Sequence, residues 1–471
     1  MKLQCLPIKG VAVAMRNGIH SNAFQVTSKL KLSNEESVER LLSRRWTLPS
    51  PETKIHQVIQ RDRSDGCSFL LNTNPSFSDG IMDMDKEDRY FYIVRDDLLH
   101  PLVNGNKARK LDGLLPLLED YSVTDVDNNS LYLLELFQPV LAIIVTCGGC
   151  QSAHTAAVAV LCAERGIKSH LLLRGEQPEI MTGYNLMSTI YGNVTYVPRS
   201  IYAKREDMLK SHAKLVADDN GSVVWFNDII EAASITKLCT SPKLAQVDAN
   251  RSAENHHRKI LIINEGAGDS VALLGVIRLV QYLSENNLFG RKRALKFVVD
   301  AGTGTTAIGL GLAALCLGLP WEVYAVMLAD TIDGYRQKEE CLISEFKKHY
   351  AQFIDHGVNK ADGRIVHWVE RCRPRKFGNV MEGEMQACQQ IAQQTGILVD
   401  PVYTLAAWEL ATLLCNEEAE EESEVVMLHT GGTLGLFGLA QRTWSGKYFI
   451  LLSMFGLEIK DEKRREGKEK L

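Results

Sequence analysis

The sequence predicts an α/β protein whose parallel strands are covered by helices on both faces. Short apolar segments rich in β-branched residues alternate with helical stretches over most of the chain, and repeated strand-then-helix units are typical of parallel sheets. Hydrophobic residues make up 45% and charged residues 24% of the 471 residues, which is the mixture of a globular chain with a large core. Polar, glycine-rich loops follow several predicted strands, where open parallel sheets bind their ligands.

The predicted elements follow one another regularly along the chain. Strands are predicted at residues 90–94, 142–146, 169–173, 194–196, 260–263, 294–299, 322–326 and 424–429. Helices are predicted at residues 108–118, 152–165, 271–285, 307–317, 333–349, 383–396 and 405–415. Residues 301–321 carry no charge over a length that could span a bilayer. Glycines and a proline interrupt that stretch, so we predict a strand end, a loop and a buried helix there, and no membrane span.

Composition and charge argue against several function classes. The formal net charge is −5, from 53 Lys and Arg against 58 Asp and Glu, so no basic excess indicates a nucleic-acid partner. Eleven cysteines are scattered through the chain, and their odd number and low density favour a reducing compartment over a disulfide scaffold. Cys147 and Cys150 form a single CxxC, and no third ligand is evident beside His256 and His257. We therefore expect no metal site.

The two ends and one internal segment have compositions of their own. No acidic residue precedes Glu35, whereas lysine, arginine and serine recur before it, which is typical of an organellar transit peptide. We expect residues 1–34 to be a mitochondrial leader; a chloroplast leader, or a disordered tail on a cytoplasmic protein, is the alternative. Residues 459–471 are predicted to be a solvated charged tail, and the polar residues 237–258 an insert.

The first loop with candidate chemistry follows the strand at 90–94 and contains Gly105, Asn106 and Lys107. Lys107 lies where a helix begins, and the helix dipole disfavours a cation at that end. This placement lowers the pKa of an amine, which suits a lysine that forms a Schiff base. An ordinary surface lysine in a basic first turn is the alternative.

The second loop runs from Thr146 to Thr155 with the sequence TCGGCQSAHT. The backbone N–H groups of such a glycine turn can bind a phosphate or a carboxylate. Ser152 could instead only cap the helix that follows. Cys147 and Cys150 could form a redox pair, although the two glycines between them are better explained by a tight turn.

The third loop lies between a predicted strand and a predicted helix. It consists of Gly302, Thr303, Gly304, Thr305 and Thr306. Its backbone amides and hydroxyls suit a phosphate group, and it matches neither the dinucleotide-binding fingerprint nor the P-loop. A plain strand–helix turn is the alternative.

The fourth and fifth loops, residues 399–404 and 429–437, also lie at predicted strand ends. Parallel strands present their carboxyl ends at one edge of a sheet, and ligands bind there. Five polar loops in that position therefore predict one shared pocket.

In this order, the five motifs resemble those of the pyridoxal 5′-phosphate (PLP) enzymes of fold type II, in the branch of D-cysteine desulfhydrase and 1-aminocyclopropane-1-carboxylate (ACC) deaminase. The resemblance covers residues 90–439 and rests on RDD…NGNKARKLD, GGCQSAHT, GTGTT, DPVYT and HTGGTLGLF. It is closest to the plant-type D-cysteine desulfhydrases with an organellar leader. It implies a two-lobed fold of open twisted sheets covered by helices, similar to the tryptophan synthase β chain, with PLP as cofactor and a homodimer as assembly.

The resemblance also implies which residues bind the cofactor. Lys107 corresponds to the lysine that holds PLP as an imine, and it follows Asn106 as in the family. Residues 302–306 correspond to the phosphate loop. Thr404 corresponds to the residue that faces the pyridine nitrogen, where the deaminases have Glu and the desulfhydrases Thr.

Substrate contacts follow from the same resemblance. Gln151 and Ser152 correspond to the segment that binds the substrate carboxylate, with Ser152 close to the reacting carbon and a second candidate for the catalytic base. His154 corresponds to the desulfhydrase residue at a place where the deaminase has Gln. Tyr403 corresponds to a tyrosine near the substrate, so Lys107, Ser152 and Tyr403 are the predicted catalytic residues.

Two positions depart from the family pattern. Ala153 stands where the family has Asn, a usual partner of the PLP ring oxygen. Phe377 stands where the family has a second active-site tyrosine.

The resemblance implies β-elimination from a small amino acid, with D-cysteine converted to pyruvate, sulfide and ammonia. A neutral Thr404 holds a proton on the pyridine nitrogen less well than a carboxylate would, which favours loss of a good leaving group over opening of a cyclopropane ring. ACC deaminase, a catalytically weak PLP-binding homologue and a thiol redox protein remain alternatives. We expect a large PLP-binding lobe from residues 60–116 and 259–458, and a smaller lobe from residues 117–236.

Overall fold

Two sheets, one of seven strands and one of five, organise the computed structural model. It describes residues 28–63, 66–77, 89–103, 105–123, 143–219, 221–229, 259–350, 364–417 and 423–443. The strands are β1 (Ile55–Arg63), β2 (Gly66–Asn72), β3 (Arg89–Val94), β4 (Ile143–Gly149), β5 (Lys168–Arg174), β6 (Asn193–Val197), β7 (Ser222–Trp225), β8 (Lys259–Ile262), β9 (Leu295–Ala301), β10 (Trp321–Met327), β11 (His367–Glu370) and β12 (Glu424–Leu428). The helices are α1 (Ser28–Leu42), α2 (Asn106–Asp112), α3 (Leu115–Val123), α4 (Ala153–Ala163), α5 (Gly183–Tyr191), α6 (Arg199–Tyr202), α7 (Arg205–Ala217), α8 (Ala272–Leu283), α9 (Thr305–Leu317), α10 (Ile332–Tyr350), α11 (Glu384–Thr395), α12 (Thr404–Glu417) and α13 (Thr433–Thr443).

The larger sheet has the order β11-β10-β9-β12-β3-β1-β2, and the smaller sheet has the order β6-β5-β4-β8-β7. All pairs of the smaller sheet are parallel. In the larger sheet only β1 pairs antiparallel with its neighbours, β2 and β3. The predicted fold class is therefore confirmed, with an antiparallel hairpin added at one edge of an otherwise parallel sheet.

Helices α8 and α9 form the centre of the core. The two helices pack against each other and are largely buried. Helix α9 carries no charged residue, as expected of a helix that is buried on nearly all sides. The uncharged stretch 301–321 is thus the end of β9, a loop, α9 and the start of β10, as predicted. None of the helices in the described ranges combines the length and the apolarity needed to cross a membrane.

Every predicted strand is present within a few residues, but the hairpin β1–β2 and the short strands β7 and β11 were missed. Strand β1 reads IHQVIQRDR, and it buries His56, Gln57 and Gln60. Polar residues that become buried only through tertiary contacts leave no apolar pattern in the sequence. The helix predicted at 108–118 is in fact α2 and α3, divided at Gly113, where a Cβ would lie 3.1 Å from the ring of Trp46.

The second segment expected in the large lobe begins at residue 259, where the structure has strand β8. Strand β8 pairs with β4 and β7 and so belongs to the smaller sheet. The sequence of an apolar strand does not indicate which of two parallel sheets the strand joins. Helix α1 begins inside the predicted leader 1–34 and buries Val38 and Leu41. Residues 1–27, the segment 237–258 with its two histidines, and the tail 459–471 lie outside the described residues.

Candidate active site

Lys107 lies in the first turn of α2, at the centre of a hydrogen-bonded cluster. Its Nζ donates to Asn106 Oδ1 at 2.9 Å. Burial lowers the pKa of Lys107 to about 8, and the charge of Asp300 opposes that shift. Burial, rather than the helix dipole, is thus the main cause of the lowered pKa. An amine with this pKa is neutral in a substantial fraction near pH 8, as a nucleophile or base requires.

A close approach of two backbones fixes the start of the Lys107 helix. Gly105 has φ 67°, and a Cβ there would lie 1.8 Å from Thr430 O. Asn106 N donates to the same Thr430 O at 3.1 Å, and Asn106 Nδ2 donates to Thr306 Oγ1 at 3.0 Å. Asn106 therefore joins the lysine helix to the loop after β12 and to the predicted phosphate loop.

The predicted phosphate loop, residues 302–306, leads from β9 into α9. Gly304 has φ 79°, and a Cβ there would lie 3.0 Å from the ring of Trp368. Thr305 and Thr306 are buried, and Thr303 Oγ1 lies 3.2 Å from Thr305 Oγ1. The first turn of α9 contains no acidic residue, so its N–H groups form a site that favours an anion.

A second amine, Lys110, lies beside this loop and was not among the predicted site residues. Its side chain is 2% exposed, and within the described ranges its Nζ makes one hydrogen bond, to Gly266 O at 3.2 Å. A Cβ on Gly266 would lie 2.7 Å from Thr303. Burial, together with the charges of Lys107 and Lys338, lowers the pKa of Lys110. The sequence signal was its position three residues after Lys107, on the same face of the helix.

These residues fit a phosphorylated carbonyl cofactor. Lys107 supplies a partly neutral amine that can bind a carbonyl group. The Lys110 amine and the N–H groups at the start of α9 would both be stabilised by a bound anion. A phosphate placed there would restore the charge of Lys110 that burial now disfavours.

Gln151 and Ser152 connect β4 to α4. Ser152 Oγ accepts a hydrogen bond from Thr155 N at 3.3 Å and so caps α4. Capping is the alternative role that the sequence offered for this serine. Gln151 Nε2 donates to Thr182 O, and Gln151 Oε1 accepts from Tyr184 N, both at 3.0 Å. Gln151 thus fixes the start of α5, and any contact with a substrate carboxylate adds to this structural role.

His154 is buried on the first turn of α4. Thr146 Oγ1 donates to Ile263 O at 2.9 Å, so its only proton is used there. The contact of 2.9 Å between Thr146 Oγ1 and His154 Nε2 is then donated by the imidazole, which leaves Nδ1 as an acceptor. Within the described ranges this Nδ1 has no hydrogen-bond partner. Burial and the charges of Lys107 and Lys110 lower the pKa of His154 to about 3, so the ring is neutral.

Thr404 is fully buried and pairs with Asp400. Thr404 Oγ1 donates to Asp400 Oδ2 at 2.9 Å and accepts from Asp400 N at 2.8 Å. The Asp400 carboxylate accepts the N–H groups of Val402, Tyr403 and Thr404, so Asp400, rather than Thr404, caps α12. Asp400 was missed as a site residue, although Asp is a common cap.

The ring of Tyr403 packs against the phosphate loop, since a Cβ on Gly302 would lie 3.2 Å from it. Phe377 meets Tyr403 edge to face, with ring centroids 5.6 Å apart. The aromatic residue that departs from the family pattern therefore lies beside the predicted catalytic tyrosine.

The thiol pair offers no redox centre. Cys147 is buried, and burial raises its pKa to about 12. A thiol with that pKa is protonated and unreactive. Among the described residues, neither Cys147 nor Cys150 forms a disulfide bond.

The structure brings most of the predicted residues together. Contacts join Asn106 to the phosphate loop and Tyr403 to the same loop, and helix α4 with His154 packs against helix α2. Ser152 lies at the N-terminus of α4, and within the described ranges no hydrogen bond joins it to Lys107.

The fold is that of the PLP enzymes of fold type II. A solved structure of an ACC deaminase homologue matches 76% of this chain and 89% of its own, with a TM-score of 0.53 and 20% identity. No protein-family model matches the chain.

One plant relative shows the family, and a second plant relative is similar at lower identity. A protein of Oryza sativa subsp. japonica named "Putative D-cysteine desulfhydrase 2, mitochondrial" is 49% identical over 418 residues, which are 86% of this chain and 94% of the relative. An Arabidopsis thaliana protein named "Bifunctional D-cysteine desulfhydrase/1-aminocyclopropane-1-carboxylate deaminase, mitochondrial" is 25% identical over 357 residues, 74% of this chain and 73% of the relative. The chain belongs to the D-cysteine desulfhydrase and ACC deaminase family, and the resemblance expected from the motifs is confirmed.

Proposed function

We propose that this chain is a PLP-dependent lyase that converts D-cysteine to pyruvate, sulfide and ammonia. The observation that carries the proposal is the Lys107 amine, with its pKa lowered to about 8, joined through Asn106 to the glycine- and threonine-rich loop 302–306. The names of the two plant relatives support the substrate.

The cofactor would be held by groups at the carboxyl ends of β3, β9 and β12. The amides and hydroxyls of residues 302–306 would bind its phosphate, with Lys110 as counter-ion. Lys107 would bind its carbonyl carbon, and Thr404 would face its pyridine nitrogen. When bound, PLP supplies an electron sink for the electron pair left on the substrate Cα.

Lys107 would act as the base that takes the Cα proton. This step requires the neutral amine, which burial provides. Ser152 is the alternative base, but it caps α4 and makes no hydrogen bond to Lys107 within the described ranges. Tyr403 would lie near the departing sulfide, with its ring against the phosphate loop.

The substrate would be held by the loop between β4 and α4. Gln151, Ser152 and the turn amides would bind its carboxylate, which is anionic and favours a helix N-terminus. The unpartnered Nδ1 of neutral His154 would accept one hydrogen bond from the bound ligands. It would do so one residue after Ala153, where the family's amide is missing.

ACC deamination is a second candidate function, because Thr404 contacts a carboxylate, Asp400, and the deaminases carry a carboxylate at the position of Thr404. Its hydroxyl proton goes to the buried Asp400 carboxylate, so the oxygen can only accept from a ligand. A protonated pyridine nitrogen would suit that acceptor. This contact reduces the contrast with a deaminase that carries Glu at this position.

We further propose a homodimer located in mitochondria, with residues 1–34 as leader. The word "mitochondrial" in the names of both plant relatives supports this address, and chloroplast and cytoplasm are the alternatives. The large lobe would carry the seven-stranded sheet, and the small lobe the five-stranded sheet including β8.

A substrate panel tests the proposal. The full chain loaded with PLP is assayed with D-cysteine, L-cysteine, D-serine and ACC, and sulfide and 2-oxoacid are measured separately. We expect sulfide and pyruvate in equal amounts from D-cysteine, and none from a Lys107→Ala control. Turnover of ACC alone would favour the deaminase, and visible PLP binding without any turnover would support a catalytically weak homologue.

A further inference from the structure

Asp300 is a buried carboxylate at the end of β9, two residues before the phosphate loop, and it has no role among the predicted site residues. It is 5% exposed. Thr430 Oγ1 donates a hydrogen bond to Asp300 Oδ1. Burial raises the pKa of Asp300 to about 6, so the carboxylate is ionised above that pH.

A short network joins Asp300 to the reactive amine. Thr430 uses its hydroxyl on Asp300 and its carbonyl oxygen on Asn106 N, at 3.1 Å. Asn106 Oδ1 then accepts from Lys107 Nζ at 2.9 Å. The close approach of Gly105 to Thr430 holds the two ends of this network in place.

The charges around the amine come from several elements. Lys110 lies on the same helix, Asp300 on β9, and neutral His154 on α4. Asp400, at the start of α12, acts on Asp300 and raises its pKa. Asp400 already receives three backbone N–H groups and the Thr404 hydroxyl. Among the described residues, Asp300 is the carboxylate whose charge favours the protonated form of Lys107.

We propose that Asp300 is a positioning residue that sets the protonation of Lys107, holding on its Nζ the proton taken from the substrate Cα. Without a nearby anion, a buried ammonium is strongly disfavoured, and a base that cannot keep its proton returns it to the carbon. The inference rests on the proposed function only in taking Lys107 as the reacting amine.

Chemical labelling of the amine tests the coupling directly. The full chain, freed of cofactor, is acylated briefly over a range of pH, and modification of Lys107 is counted by mass spectrometry. We expect half-maximal reactivity near pH 8 in the wild type. In Asp300→Asn we expect it about one pH unit lower, a roughly tenfold change in proton concentration. The visible absorbance of the loaded chain, titrated over the same range, is the second readout.

Two variants separate charge from structure. Asp269→Asn removes another buried carboxylate, whose pKa burial also raises to about 6 and which is not coupled to Lys107; its labelling curve should match the wild type. Thr430→Val keeps the carboxyl group but removes the hydrogen bond that lowers its pKa, so its shift should have the same direction as that of Asp300→Asn and be smaller. If Asp300→Asn does not fold, Asp300→Ser removes the same charge.

An Asp300→Asn curve that coincides with the wild-type curve would overturn the inference, and so would an equal shift in Asp269→Asn. The labelling uses neither cofactor nor substrate. A chain without desulfhydrase activity can therefore still show the shift, and an active chain without it contradicts this inference alone.

Discussion

Replacing Gly105 with Ala should destabilise the protein and disturb the lysine site together. Gly105 has φ 67° and ψ −148°, a region open essentially to glycine alone, and an Ala there costs about 1–3 kcal/mol. Its Cβ would also lie 1.8 Å from Thr430 O. Relieving that overlap must move one backbone, at a further cost of about 1–3 kcal/mol.

The structure supplies a matched control in Gly290. It has φ 70°, but a Cβ there would have no atom within 4 Å. Gly290→Ala should therefore cost only the backbone term, about 1–2 kcal/mol. The excess in Gly105→Ala, roughly 1–3 kcal/mol, measures the contact with Thr430.

Urea unfolding of the two variants gives the free energies, and titration with PLP, followed by visible absorbance, reports the site. We expect Gly105→Ala to bind PLP more weakly, because the displaced backbone carries Asn106 and Lys107. Equal stability losses and wild-type PLP binding in both variants would refute the argument that this close approach positions the lysine.

Three further predictions concern the site itself. Lys107→Ala should abolish turnover and the covalent PLP absorbance while the protein still folds and unfolds cooperatively in urea; full turnover would contradict the role of Lys107 and make Lys110 the next amine to test. The rate at saturating D-cysteine should rise with pH through about 8, because the neutral amine grows as pH passes the lowered pKa of Lys107; a rate that falls over that interval would contradict a lysine base. Thr404→Val should cost about 1–3 kcal/mol, since it leaves the buried Asp400 N–H without its acceptor; Thr404→Ser should be nearly silent, and an unchanged PLP spectrum in Thr404→Val would exclude the pyridine contact.

Much of the fold could be predicted because its signals are local. Apolar segments rich in β-forming residues correctly predicted the strands that are buried on both faces, such as β9 and β4. The same rule failed for β1, whose buried side chains include His56 and Gln57. These residues become core only because neighbouring strands and helices cover them.

The loops that build the site could also be predicted from the sequence, but the pKa values and the burial of their side chains could not. The order of the motifs placed Lys107, the loop 302–306 and Tyr403 in one pocket, since carboxyl ends of parallel strands share an edge. A helix-dipole argument predicted the right direction for the Lys107 pKa from the wrong main cause. The main cause is burial, which no local pattern reports.

By itself, then, the sequence determined the alternation of strands and helices, the five loops and the family they resemble, because each depends on residues close together in the chain. Only the tertiary structure decided that β8 joins the smaller sheet, that Asp400 caps α12 and accepts a hydrogen bond from the Thr404 hydroxyl, and that the charge of the buried Asp300 acts on Lys107. Asp300 and Lys107 are far apart in sequence, and Thr430, which hydrogen-bonds both Asp300 and Asn106, is farther still. Electrostatic interaction follows distance and burial in space, and these exist only once the chain has packed.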